Sequence, residues 1–273
     1  MEKEQRVKTK KQKPESYTDR SHYRRMMACS GFVSTHVRIA ETDLHIMAKQ
    51  DVAVTATDLI LQYRSQLENY ILKNPEFSAT LDPLSIDKIV PPLIRDMLEA
   101  GIKAEVGPMA AVAGTLAEYV GLGLLKTECS EVMVENGGDV FLSRSRNCSV
   151  AIFAGDSPLS YKVGIRLAVE DMPMGICTSS GTVGHSLSFG KADSVTVIAR
   201  STPLADAAAT RLGNEVGEGK NAKSGMQQAL NKACEIEGLR GVVVICGELM
   251  GAWGDVELVQ MDGREERRTL NIE

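Results

Sequence analysis

Aromatic residues make up only 4% of this 273-residue chain, with one Trp, five Phe and six Tyr. None interleave with its basic residues to form a base-stacking surface, so nucleic acid is an unfavoured partner. Paired cysteines are missing too. Cys29, Cys129, Cys148, Cys177, Cys234 and Cys246 are scattered without a Cys-x-x-Cys, which argues against a zinc ribbon and a cytosolic redox pair. Most read as small buried hydrophobes, as Cys246 does at the end of the apolar run from Gly241 to Ile245. The longest apolar stretch, Val106 to Leu125, is broken by Gly107, Pro108, Gly114, Glu118, Gly121 and Gly123, so no membrane span is expected. Glu2 to Lys13 is nearly all polar and lacks the apolar centre of a secretory signal, which makes a cytoplasmic location the expectation. Two phosphate-binding motifs fail in detail. Gly184 to Lys191 approaches a P-loop, but five residues separate Gly184 from Gly190, and Ala192 stands where a magnesium-binding Ser or Thr belongs. Gly121-Leu-Gly123 lacks the third glycine of a dinucleotide fingerprint and sits within a helical pattern.

What remains is a chain with 43% hydrophobic content, enough to bury a full core as one large or two small domains. Its charge is uneven: the first 25 residues hold nine Lys or Arg against four acids, and the rest hold 22 against 32. Residues 1–17 read as a basic flexible arm on an acidic body and residues 263–273 as a charged tail. A homodimer is the expected assembly.

The hydrophobic patterning is mixed. Phe32 to Ala40 and Asp43 to Met47 read as a hairpin turning at Glu41-Thr42. Helical spacing follows over Ala53 to Lys73, Ile86 to Ala100 with an interruption at Pro91-Pro92, and Pro108 to Leu125. Strands are expected at Glu131 to Val134, Val140 to Ser143, Ser149 to Ala154, Tyr161 to Val169, Ile176 to Thr178 and Ser194 to Ala199. Helices return at Pro203 to Val216 and Ala222 to Glu237, and strands close the chain at Gly241 to Cys246 and Gly254 to Met261. Strands grouped apart from helices give an α+β class, mostly antiparallel sheets covered by helices.

Three segments carry candidate chemistry. Gly175 to Gly190 holds four glycines, six hydroxyls, one histidine and no formal charge, the composition of a ligand loop. Its residues Thr178, Ser179, Ser180 and Gly181 offer donors to anionic oxygens, and His185 suits proton transfer near neutral pH. Upstream, Glu135-Asn136-Gly137-Gly138-Asp139 separates two apolar stretches, either as a ligand loop or as a simple hairpin. Downstream, Asp206 and Thr210 are four residues apart, so their oxygens share one helix face in a pattern that suits Mg2+, while Asp206 could equally serve as a helix cap.

The order of these blocks resembles the ApbE family of FAD-binding, Mg2+-dependent flavin transferases: Val134-Glu-Asn-Gly-Gly-Asp139, Thr178-Ser-Ser-Gly181, His185, Ser194-Val-Thr-Val197 and Ala205-Asp-Ala-Ala-Ala-Thr210. Together with Val106-Gly-Pro-Met-Ala-Ala-Val-Ala-Gly114, they are similar to a smaller ApbE-like family of archaeal and bacterial proteins without a settled function. This resemblance covers roughly residues 20 to 260. It implies a duplicated T-fold-like architecture over residues 18–262, as one ApbE-like domain or two intimately packed halves. It also implies a flavin pocket at Asn136, Gly137, Gly138, Asp139 and Thr178 to Gly181, and metal ligands at Asp206 and Thr210. Two positions depart from the transferase pattern. His185 follows Gly181 by only four residues without a succeeding Asp-Pro, and Ala113 replaces the lysine that precedes the glycine corresponding to Gly114.

Four readings follow. The chain is a Mg2+-dependent FMN transferase with His185 as base, or a binder of FAD or another phosphate-bearing small molecule that transfers nothing. Alternatively, because the resemblance implies a link to sulfide assimilation into homocysteine, it handles sulfur through Cys177 as a nucleophile. The fourth is a non-catalytic assembly factor.

Overall fold

The computed structural model describes residue 24 and residues 31–86, 89–127, 129–181, 192–216 and 221–261. The expected arm and tail lie outside these residues. Among those described, eleven strands form two antiparallel sheets, and helices cover one face of the larger sheet. The class is α+β.

The larger sheet is built twice from the same plan. Strands β1 (Val33–Ile39) and β2 (Thr42–Ala48) form a hairpin. Helix α1 (Ala53–Lys73), the single turn α2 (Glu76–Ala79), α3 (Pro92–Ala104) and α4 (Val112–Thr127) intervene. A second hairpin, β3 (Val132–Asn136) with β4 (Asp139–Ser143), then pairs beside β2. The short strands β5 (Cys148–Ala151) and β6 (Val163–Leu167) leave this sheet. The plan repeats as the hairpin β7 (Met174–Ser179) and β8 (Ser194–Ala199), helices α5 (Thr202–Glu215) and α6 (Ala222–Ala233), and the hairpin β9 (Leu239–Cys246) and β10 (Leu249–Gly254). The sheet order β1-β2-β3-β4-β7-β8-β9-β10 joins the two units through the β4–β7 pairing.

Alternation along each strand assigns the two faces. Val132, Val134 and Phe141 face α1 and α4, while Cys177, Val195, Val197, Val242 and Val244 pack with Leu204, Ala205 and Ala208 of α5. The opposite face sends Leu142, Met174, Ile176, Ile198, Val243 and Ile245 against Ile165 and Leu167 of β6 in the small sheet. Helix α4 lies close on the main sheet because Gly121 leaves room for Phe141; a Cβ there would come within 2.2 Å of the ring.

Most expected elements appear, with shifts that have physical causes. Helix α3 begins at Pro92 rather than Ile86, since Pro91 is extended (ψ 146) and a residue preceding proline is held out of the helical region. The Pro108 helix opens as a 3-10 turn, Pro108–Ala111, before α4. Tyr161 takes a left-handed φ of 59, so β6 starts later than the alternation suggested. Gly254, at φ 84, turns the chain between two strands where one was expected; β11 (Glu257–Gln260) then pairs with β6 in the small sheet. Strand β10 itself has no clear sequence signal, because Gly251 and Gly254 dilute its apolar pattern.

The segment Pro108–Thr127 has the length and hydropathy to cross a membrane, but half of it is buried in the fold. Its buried residues Thr115, Leu116, Ala117, Val120 and Leu124 make it a core helix.

Candidate functional site

Where the two units meet, the tip of the β3–β4 hairpin, the β4–β7 seam and the N-terminal turns of α4 and α5 converge. The hairpin turns through Gly137 and Gly138, at φ 73 and 108, a pair of left-handed positions that glycine occupies without strain. Asn136 and Asp139 close the turn as a cross-strand pair. Asn136 Nδ2 donates to Ala113 O at 3.1 Å, fastening the hairpin to the first turn of α4.

Asp206, in the second turn of α5, lies against the same helix start. Its Oδ2 accepts the Gly114 amide at 2.8 Å, and the Ala113 amide adds a second backbone hydrogen bond to the carboxylate. The contact requires Gly114, since a Cβ there would lie 2.7 Å from Thr202 O and 2.8 Å from Asp206 Cβ. Burial first, and then the facing Asp139 carboxylate, push the Asp206 acid well above the ordinary carboxylate range; the two backbone donors oppose this. Two buried acids thus face one another at the positive end of a helix, an arrangement that favours a shared proton or a cation between them.

Cys177 completes the group by register, opposite Asp139 across the β4–β7 seam. Its thiol is fully buried, hydrogen-bonds to Asp139 and reaches Thr202 O at 3.6 Å. Burial, Asp139 and Asp206 all raise the thiol further. A thiolate is disfavoured in this setting, since burial and the neighbouring acids both raise the thiol above its usual range.

The expected ligand loop is divided. Thr178 and Ser179 belong to central strand β7, with Thr178 Oγ1 bonded to Thr196 Oγ1 at 3.0 Å on the face away from α5. Ser180 and Gly181 follow the strand, and the Gly181 amide donates to Ala192 O at 3.0 Å. His185 lies outside the described residues. Thr210, one turn beyond Asp206 on α5, is half-buried.

Several contributing residues escaped the sequence reading. Glu135 Oε1 accepts the Gly138 amide at 3.0 Å, and its Oε2 accepts Arg24 Nε at 2.7 Å. Glu118 Oε2 accepts the Thr202 amide at 2.6 Å, so α4 supplies an acid to the first turn of α5 just as α5 supplies one to α4. An acid inside an apolar run was the available signal for both, Glu135 after Val134 and Glu118 within Val106 to Leu125.

The donor set suits a hard cation. Asp139, Asp206 and Thr210 offer oxygen, and a carboxylate accepting two amides retains lone pairs for a metal. Among the described residues, no group of three or more His, Cys, Asp or Glu could hold a metal ion.

A doubled antiparallel sheet with a glycine hairpin set on a helix start defines an ApbE-like fold. The apo flavinyl transferase ApbE of Pseudomonas stutzeri has this fold, at a TM-score of 0.52 and 12% identity over 88% of this chain and 98% of that one. An ApbE protein of Thermotoga maritima gives a TM-score of 0.50 at 12% identity, covering 81% of this chain and 96% of that one. The chain belongs to the family described as AbpE bacteria, whose family model matches residues 24–258. A UPF0280 protein of Methanococcus maripaludis is 43% identical over 241 residues, covering 86% of this chain and 96% of the relative. One of Methanosarcina acetivorans is 39% identical over 225 residues, covering 82% and 87%.

Proposed function

We propose that the protein binds FAD, or a closely related phosphate-bearing flavin, at the junction of the β3–β4 hairpin with α4 and α5, in a manner that depends on Mg2+. One observation carries this reading: the Gly137–Gly138 turn, free of side chains, stands beside two buried acids at a helix start. The turn lets a flat ring approach the backbone, and Asn136 holds it against α4. Asp206 and Thr210, with Asp139 facing them, would hold the metal, which when bound supplies charge neutralisation to the pyrophosphate. Burial of the acid pair makes the empty site electrostatically unfavourable at neutral pH, so a divalent cation gains there. Ala113 contributes backbone atoms to the junction but no cation, and the absence of a lysine there counts against FMN transfer. If FMN transfer occurs, His185 is the residue of this chain suited to take the proton of the incoming hydroxyl.

Titration of the purified protein with FAD, with Mg2+ and with EDTA, by calorimetry and flavin fluorescence, tests the reading. Tight binding that EDTA abolishes supports it and makes an FMN-transfer assay the next step; no binding with Mg2+ rejects it. Alkylation tests the sulfur reading separately. With iodoacetamide on the folded protein, Cys234, the exposed cysteine among those described, reacts first, and Cys177 reacts only on unfolding. Labelling of native Cys177 at a rate comparable to Cys234 would revive the sulfur reading.

A further inference from the structure

We propose that Glu135, held by Arg24, positions the Gly137–Gly138 turn, so that Arg24, ahead of β1 in the chain, forms part of the site. The inference rests on the flavin-binding reading for its functional consequence.

Glu135 points to the face opposite Asn136, as strand alternation requires, and its side chain is 1% exposed. The turn is thereby fixed from both faces of the sheet: Asn136 ties it to α4, and Glu135 receives the Gly138 amide at 3.0 Å. The second carboxylate oxygen takes Arg24 Nε at 2.7 Å. Arg24 is itself anchored, its Nη1 donating to Asp43 Oδ1 at 2.7 Å and its Nη2 to Asp43 O at 2.8 Å. A different cation could have served, since His45 sits directly across from Glu135 in the β2–β3 register. It does not. His45 is buried, hydrogen-bonds Ser34 Oγ through Nε2 at 2.7 Å, and is held below its usual pKa chiefly by desolvation. Arg24 is thus a cation paired directly with the buried carboxylate, and loss of that pair would draw the turn out of place. A turn of two glycines resists such movement poorly, because no side chain packs to hold it. Glu135 touches no reacting atom in this scheme; it acts through the Gly138 backbone.

The test uses full-length 15N-labelled protein and the variants E135Q, R24A, R24K and R24A/E135Q. In the wild type, the Gly138 amide proton resonates downfield and exchanges slowly, because it is bonded to a carboxylate. E135Q moves it upfield, speeds its exchange, and weakens FAD binding roughly tenfold. R24A does the same to a smaller degree, R24K restores part of the loss, and the double variant is no worse than E135Q alone, because both act through one chain of contacts. R24A keeps the test decisive should E135Q fail to fold. An unmoved Gly138 amide in either variant, or fully additive losses, overturns the proposal. A wild type that binds no FAD overturns the flavin reading instead, and the amide measurement still decides the clamp.

Discussion

Helices α4 and α5 begin alike and end up in different roles. Each N-terminal turn receives an acid from the other helix: Asp206 takes amides of Ala113 and Gly114, and Glu118 takes the amide of Thr202. Both acids are raised by burial, and each has another carboxylate nearby, Asp139 in one case and Asp96 in the other. The surroundings then diverge. Near Glu118 are Asp96 and Tyr119, whose hydroxyl donates to Asp96 at 2.6 Å and whose ring packs edge-on against Tyr63 at 5.2 Å. Around Asp206 are the Gly137–Gly138 turn and Asp139. One structural device has been used twice, and only one copy stands beside a glycine turn.

Substitutions at the two caps separate these roles. The largest effect is expected from Asp206→Ala, which strips the acceptor from two buried amides and the proposed ligand from the metal. Stability falls by about 2–4 kcal/mol, and Mg2+-dependent FAD binding is lost, measured by urea unfolding and calorimetry. Asp206→Asn sharpens the contrast: an acceptor remains while the charge facing Asp139 is gone, so the fold holds and binding still fails. Retained Mg2+-dependent binding in this variant would leave Asp206 as a cap alone. Glu118→Ala loses one cap and costs about 1–3 kcal/mol, with FAD affinity changed less than roughly threefold. A larger loss of affinity there would erase the distinction between the two ends. Gly114→Ala pushes a methyl onto Thr202 O and Asp206 Cβ; about 1–3 kcal/mol of stability is lost as α4 and α5 separate.

The smallest effect is in pH. Because the folded Asp206 pKa is raised above its ordinary 3.8, the folded state binds the extra proton. The associated stability is fully present below 3.8 and is lost as pH rises through the raised value. Without Mg2+, the melting temperature of the wild type relative to Asp206→Asn should therefore decline from acid to neutral pH. Added Mg2+ should flatten that decline. A difference that rises with pH in EDTA would contradict a buried, protonated acid.

Much of this was legible in the chain itself. Helix α1 matches its apolar spacing over Ala53–Lys73, ending where Asn74-Pro75 stops it, and β8 matches its run of apolar and β-branched residues over Ser194–Ala199. The Asn136–Asp139 turn was visible as Gly-Gly between apolar strands. The strand expected at Ile176 to Thr178 is the core of β7, which carries the first part of Gly175–Gly190 into the sheet, where Thr178 bonds Thr196 and Cys177 lies beneath α5. The partners of Glu118 and Arg24 left no local trace, since they lie 84 and 111 positions away.

Local pattern thus determined which segments are helices and strands, where the glycine turn falls, and that Asp206 and Thr210 share a helix face. Those depend on periodicity and backbone freedom over a few residues. Only the tertiary structure decided that Asp206 faces Asp139, that Cys177 is buried between those two acids, and that one helix start lies near Asp96 and Tyr119 while its twin meets a glycine turn. Such outcomes depend on which distant groups share a dry, low-dielectric space, where charge and hydrogen bonding act far more strongly than in water.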